Sequence, residues 1–344
     1  MSTDIVMDAG SYKTILYSNS KVVLEESSAV SVNSDTYKPI CFGDDAKKMF
    51  GKTSDNVTTV FPIDRGVISE YDVAEAMVVN FIKKAFGNKI IKPRIIVVVP
   101  SGVTTVQHHS LANAVAAAGC RNISTIENSI ATALGLGIDF NKAHGSMIID
   151  LGAGTTDIAT ISLGGIHYND SVRVGSIDFD DDIEKYIRYN KNILIGGQTA
   201  ELIKRSVGCA IDRDFEVTIT AKGKHLLTGL PEEFEISSTE VREAISEHLN
   251  IIAISAQSVI EKTDPDIVAD ISTDGIYLVG GGASLFGIDK FLSDYLGVKV
   301  NFIDNPLKSA LKGADMVLKN PKLIKNSDYQ YRSIQSLIIE NDEI

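Results

Sequence analysis

The chain has no excess of positive charge. Lys and Arg number 33 against 45 Asp and Glu, a net charge of −12 over 344 residues. So acidic a chain is a poor general binder of phosphate backbones, which argues against nucleic acid as its partner. An anionic membrane would also repel it, except where a local apolar or basic element overrode the field. Cysteine is scarce: Cys41, Cys120 and Cys209 have an odd count and no metal-ligand spacing, so they read as reduced thiols. No apolar run approaches the roughly 18–20 residues that span a bilayer. The N-terminus offers no charged segment followed by an apolar stretch, because Asp4 interrupts it at once. Low-complexity linkers are missing too, and the eight prolines are scattered. What is there is a chain with 44% hydrophobic and 23% charged residues, close to the globular average. At this length the expectation is a soluble, cytoplasmic protein of two domains.

Short β-branched runs alternate with stretches of helical period, which indicates α/β layers around buried sheets. The stripe Val241, Ile245, Leu249, Ile252, Ala256, Val259 predicts one long helix over 239–262. The acidic run Asp178, Asp180, Asp181, Asp182 reads as a solvated helix start favoured by the helix dipole. Residues 327–344 are polar apart from Ile334, Leu337 and Ile338, and read as a frayed tail with one short helix.

One internal repeat carries the argument. Near the N-terminus an apolar strand ends at Asp8, followed by Ala9, Gly10, Ser11, Tyr12 and Lys13, and a second apolar strand begins at Thr14. The same arrangement returns where Met147-Ile148-Ile149 leads into Asp150, Leu151, Gly152, Ala153, Gly154, Thr155, Thr156 and Asp157. A single Asp-x-Gly hairpin is an ordinary turn. Two copies in matching contexts suggest two halves that face each other across one cleft. Tight turns aim backbone N–H groups outward, and glycine lets an anion approach closely. Ser11, Thr155 and Thr156 add hydroxyl donors, so two such turns could clasp the phosphates of one nucleotide. Asp8 and Asp150 at the strand ends would then hold Mg²⁺ through its waters, as that ion prefers. A third cluster, Gly280-Gly281-Gly282-Ala283-Ser284, follows an apolar strand and is compatible with close approach to a nucleoside or α-phosphate.

These paired hairpins resemble the actin, heat-shock chaperone and sugar kinase superfamily of ATPases. The finer resemblance is to the MreB family of bacterial actins. It is carried by Phe61-Pro-Ile-Asp-Arg-Gly-Val-Ile68, Val99-Pro-Ser-Gly-Val-Thr104, Asp150-Leu-Gly-Ala-Gly-Thr-Thr156, Thr199-Ala-Glu201, Thr228-Gly-Leu-Pro231 and Gly280-Gly-Gly-Ala283, collinear over about residues 4–318. The resemblance implies an actin-like fold of two domains, each with a core and a smaller subdomain, around an ATP cleft. Domain I would span about 1–140 with a small subdomain at about 29–62, and domain II about 141–305 with one at about 181–240. Residues 306–344 would return to domain I and end in the polar tail. Position by position it places Gly10, Ser11, Tyr12 and Lys13 in the first phosphate loop and Gly152, Ala153, Gly154 and Thr155 in the second. Gly281, Gly282, Ala283 and Ser284 form the nucleoside-side loop. Glu201 and Lys204 fall where the family contacts adenosine; one helical turn apart, they would otherwise read as a surface ion pair.

The implied function is that of an ATP- and Mg²⁺-dependent cytoskeletal protein that assembles with itself, with other cytoskeletal paralogues as further partners, in cell shape or motility. A small-molecule kinase and a chaperone ATPase are the competing readings on the same fold. Two positions depart from the family. Tyr12 and Lys13 replace a small residue and an asparagine, and a lysine there could meet a β- or γ-phosphate as a point charge. Asn128 stands where the family carries the acid that positions the attacking water. An amide can orient water but cannot accept its proton, so slow hydrolysis is expected, with Thr155 and Glu127 the other candidates for that chemistry. Ser124 and Glu127 have capping-box spacing, a plain structural alternative for Glu127. The family's N-terminal amphipathic helix has no counterpart, since the chain opens on its first strand. The pair Ile90-Ile91, flanked by Lys89 and Lys92, either inserts shallowly into the inner face of the membrane or starts a buried strand.

Overall fold

A computed structural model describes residues 4–87, 93–120, 122–139, 141–303, 308–324 and 331–333. Ile90 and Ile91 lie outside the described residues, and so does most of the tail.

The repeat read from sequence is a repeat of topology. In the first sheet the strands Asp4–Ala9, Lys13–Ser18 and Lys21–Ser27 run as an antiparallel meander. Arg94–Val99 then joins Asp4–Ala9 in parallel, and Asn122–Glu127 joins Arg94–Val99 in parallel. In the second sheet Ser146–Leu151, Thr156–Ser162 and Gly165–Val172 form the meander. Ile276–Val279 and Val300–Phe302 extend it in parallel. The two spatial orders are the same, except that Tyr331–Ser333 adds an antiparallel edge to the first sheet beside Asn122–Glu127. That edge corrects the reading of the tail as frayed with one helix: three of its residues complete a ladder. Two three-stranded sheets sit apart from these, one from Val30–Asn33, Pro39–Phe42 and Val57–Val60 and one from Ile193–Leu194, Thr218–His225 and Pro231–Ser237.

Side-chain alternation along the central strands explains how the two sheets are joined. Ile5 and Met7 face a core shared with Phe81 and Ile82, and Met147 and Ile149 face one shared with Phe179 and Ile252. Val6 and Ile148, on the opposite faces, meet in a third core with Ile126, Ile130, Leu311 and Ala314. The helices Asn128–Leu136 and Ser309–Lys319 supply Ile130, Leu311 and Ala314, Ile126 coming from the strand Asn122–Glu127, and they lie between the sheets. They approach so closely that a Cβ on Gly135 would stand 1.8 Å from Ser309 O, and one on Gly313 1.8 Å from Ala131 O. Gly313→Ala should therefore force the helices apart, costing roughly 1–3 kcal/mol or more, since backbone cannot yield as a flexible side chain does. Thermal unfolding of the variant checks this, with a melting temperature equal to the parent's as the contrary result.

The long helix Ser238–Lys262 buries the predicted stripe and begins at a capping box, Ser237 with Glu240. Among the described residues no helix is long and apolar enough to cross a membrane.

Candidate functional site

The ends of the two meanders frame a cleft of about 630 Å³, within the range typical of ligand sites. Both hairpins close in the same way: Gly10 N donates to Lys13 O at 3.0 Å, and Gly152 N to Thr155 O at 2.9 Å. A Cβ at Gly152 would lie 2.9 Å from Thr155 O, so this turn needs its glycine. The two turns nearly touch, because a Cβ on Gly154 would meet Ser11 Oγ at 2.7 Å. Gly280, at φ 89°, brings the third glycine loop against the floor, where a Cβ would stand 2.3 Å from Asp150 Oδ1.

Three carboxylates share that floor. Asp8 and Asp150 come from equivalent strands, and Asp157 lies directly across from Asp150 in the second hairpin. Burial, then the charge of Asp150, pushes Asp8 up to about 7. Burial raises Asp150 to about 6 against the hydrogen bond from Asn128. Burial likewise takes Asp157 to about 7, although Ser171 donates to it. Asn128 Nδ2 donates to Asp150 Oδ2 at 2.6 Å, and Thr132 Oγ1 donates weakly to Asn128 Oδ1 at 3.4 Å. Carboxylates raised this far, chiefly by burial, are a site short of positive charge. No group of three acids, histidines or cysteines among the described residues could wrap an ion directly. Asp8 and Asp150, at the ends of equivalent strands and both lining the cleft, are placed where a cation could be held through its water shell.

At the other end, Glu201 and Lys204 do not pair with each other. Glu201 accepts from Tyr12 and from Lys47 Nζ at 2.9 Å, while Lys204 Nζ donates to Asp180 Oδ2 at 2.7 Å and to Ser176 O. The acidic run does open a helix, Ser176–Lys191, but its reading as solvated is corrected. Asp178 is buried, accepts from Gly175 N at 2.7 Å and pairs with Arg65 at 2.8 Å. Asp180 is buried too, pushed by that burial up to about 6 against the pull of Lys204, and only Asp181 is exposed.

Most of the residues read from sequence line the cleft: Asp8, Gly10, Ser11, Tyr12, Lys13, Asn128, Asp150, Gly152, Ala153, Gly154, Thr155, Glu201, Lys204, Gly281, Gly282 and Ser284. Ala283 is buried behind its loop. The Lys13 ammonium pairs with Glu25 on the neighbouring strand. Thr156 is no phosphate donor, because its hydroxyl is fully buried and donates to Val174 O at 2.8 Å. Nor do Ser124 and Glu127 form a capping box. Ser124 is inside a strand and donates to Ile95 O at 3.5 Å, and Glu127 itself takes the N-cap position without a side-chain cap bond. Sequence reasoning missed Asp157, Asp180 and Lys47, and also Arg213, whose guanidinium stacks 4.1 Å from the Phe286 ring centroid at the cleft wall.

Comparison with known proteins matches this geometry. A family model described as MreB/Mbl protein covers residues 2–326. The chain is 36% identical over 325 residues to the cell shape-determining protein MreB of Escherichia coli (strain K12), covering 92% of this chain and 94% of that one. It is 33% identical over 319 residues to the cell shape-determining protein Mbl of Bacillus subtilis (strain 168), covering 92% and 96%. Among solved structures, MreB5 of Spiroplasma citri bound to AMPPNP superposes with a TM-score of 0.89 at 32% identity, over 94% of this chain and 97% of that one. The MamK double helical filament, at 18% identity and a TM-score of 0.78 over 93% and 99%, shares the actin-like fold.

Proposed function

This chain belongs to the MreB/Mbl family, and on that premise we propose that it is an ATP-binding, filament-forming actin-like protein of the cytoskeleton, acting in cell shape or a related mechanical role. The observation that carries the reading is the pair of glycine turns, closed by the same hydrogen bond, that face one another over a floor of three carboxylates. Relatives named for shape determination and a relative bound to AMPPNP support it. On this reading residues 1–140 with the C-terminal return form one domain and 141–305 the other, with the cleft between them.

With Gly10 and Gly152 closing the turns, the remaining amides of residues 11–13 and 153–155 and the hydroxyls of Ser11 and Thr155 receive the phosphates, and Gly281, Gly282 and Ser284 with Glu201 and Lys204 receive the nucleoside. Asp8 and Asp150, joined by Asp157, hold Mg²⁺ through water. When bound, that ion offsets charge on the phosphates and on the transferred phosphoryl group. Asn128 orients the attacking water without taking its proton, so turnover is slow. Paralogues of the same fold join the filaments, which lie at the inner face of the membrane.

Electron microscopy and pelleting of the purified protein with Mg²⁺ and ATP test the reading. Filaments that sediment with ATP and not with EDTA are expected. A protein that binds ATP yet stays monomeric at concentrations far above those in a cell would remove it.

A further inference from the structure

We propose that Tyr12, Lys47 and Glu201 form a latch across the mouth of the cleft that sets how fast bound nucleotide leaves; the proposal rests on the nucleotide reading above. Tyr12 stands in the first phosphate turn, Lys47 on the short helix Asp44–Met49, and Glu201 on the helix Gly197–Val207 of the other half. Each touches both others. The Tyr12 hydroxyl donates to Glu201, Lys47 Nζ donates to Tyr12 Oη at 2.5 Å and to Glu201 Oε2 at 2.9 Å, and Nζ sits 3.9 Å from the centroid of the Tyr12 ring.

Exposure separates this triangle from the ordinary ion pairs of the surface. The Lys47 and Glu201 side chains are 22% and 18% exposed, against 74% and 76% for Lys48 with Asp45 one turn along. Water screens the first pair less, and its hydrogen bonds are charge-assisted. Neighbouring contacts brace it: Gln198 Nε2 donates to Lys47 O at 3.1 Å and to Phe50 O at 3.4 Å, and the Phe50 ring lies 3.7 Å from the Cβ position of Gly197.

The two ends of the cleft are thus held by different physics. At the floor Val6 and Ile148 are locked into one apolar core, which opens only with large loss of burial. At the mouth the halves meet through a handful of polar groups, which can part and re-form. Tyr12 and Glu201 line the cavity between these two ends. A carboxylate has about four lone-pair sites. Tyr12, Lys47 and the weaker Arg205 contact at 3.3 Å use three, and the remaining one is free for a ribose hydroxyl. Nucleotide and latch therefore share Glu201, and a closed latch encloses the ligand. Lys47 positions Glu201 from outside the cavity, and Tyr12 lines it.

Stopped-flow release of a fluorescent ADP, chased with excess unlabelled ADP, tests the latch in the full-length chain. Tyr12→Phe keeps the ring and removes the hydroxyl; Lys47→Gln removes the charge; Lys47→Arg restores it. Release should quicken roughly tenfold in the first two variants, the loss expected of one charge-assisted hydrogen bond. The double variant should be hardly faster than either single one, since the three groups act as a unit, and Lys47→Arg should return toward the parent. Tyr12→Phe and Lys47→Gln that bind the labelled ADP and release it at the parent's rate would overturn the latch while leaving the nucleotide site standing. A parent that fails to bind labelled ADP at all would overturn the site and the latch together.

Discussion

Asn128→Glu should release phosphate from bound ATP faster than the parent by on the order of 10²–10⁴-fold, the usual contribution of a positioned general base. Asn128 opens the helix Asn128–Leu136, and its amide is held donor-end toward Asp150. So fixed, it can orient a water, yet at neutral pH it cannot take the proton that the attack releases. A glutamate at the same helix position supplies the missing acceptor. The gain has a cost that the geometry also sets. A fourth carboxylate would join Asp8, Asp150 and Asp157, all already displaced upward. The nucleotide-free variant should therefore melt below the parent above neutral pH, and Mg²⁺ with ATP should restore much of the difference. Single-turnover phosphate release of the parent, Asn128→Glu and Glu127→Gln measures the effect. Glu127 makes no cap bond, and its charge helps to raise Asp157. Glu127→Gln should thus ease Asp157 downward and leave the rate nearly untouched. A fast parent rate that collapses in Glu127→Gln would mean that the acid is Glu127 and that Asn128 is a bystander. If the parent is slow, as argued, its filaments should outlast assembly, because loss of the γ-phosphate comes late.

The two glycine turns were legible because their signal is local: an apolar strand, an acid, a glycine and a hydroxyl in close succession, written twice. The helix Ser238–Lys262 was legible because its stripe is long and its capping box is contiguous. What escaped depends on groups far apart in sequence. Asp157 becomes part of the floor only through the hairpin register that sets it opposite Asp150. Lys47 reaches Glu201 across 154 positions. The acidic run looked solvated because a charge run usually is; burial of Asp178 and Asp180 follows from Arg65 and Lys204, which no local pattern announces. The strands of the two small sheets alternate polar and apolar residues only weakly. Thr218–His225 and Pro231–Ser237 bury little besides Ala221, Phe234 and Ile236, so their hydrophobic period is too faint to separate from loop. Asn122–Glu127 misled differently. Ser124 and Glu127 have the spacing of a capping box, yet Ser124 and Thr125 are buried inside a strand flanked on both edges. The helix Ser309–Lys319 contains Gly313 and Asp315, poor helix formers by propensity, which serve close approach and the ion pair with Lys319.

Asp150→Asn should separate stability from binding by moving them in opposite directions. In the nucleotide-free protein Asp8, Asp150 and Asp157 hold protons up to about 7, 6 and 7, well above the ordinary aspartate value of 3.8. Between that ordinary value and these raised ones the native state binds more protons than the unfolded chain. Stability must then fall as pH rises through this window, and the fall is complete once all three are ionised. Replacing Asp150 by its amide deletes one of the three titrations and removes the charge that helps to raise Asp8. The shape is kept, so the close fit of Gly280 is undisturbed. The variant's melting temperature should drop less between pH 5 and pH 8 than the parent's, a relative gain on the order of 1–3 kcal/mol at the alkaline end. Its affinity for ATP in Mg²⁺ should fall nonetheless by roughly 10–100-fold, the usual loss when a group that anchors a metal's surroundings is removed. Proton release on binding distinguishes the two even more directly. Near neutral pH the parent should shed protons as its floor ionises around the cation, and the variant should shed fewer. Calorimetry in two buffers of different ionisation enthalpy reads that number, and thermal scans across pH read the stability. A purely structural Asp150 would lower both stability and affinity; an Asp150 that anchors the cation's water raises one and lowers the other, and equal proton release from the two proteins would take it out of the site.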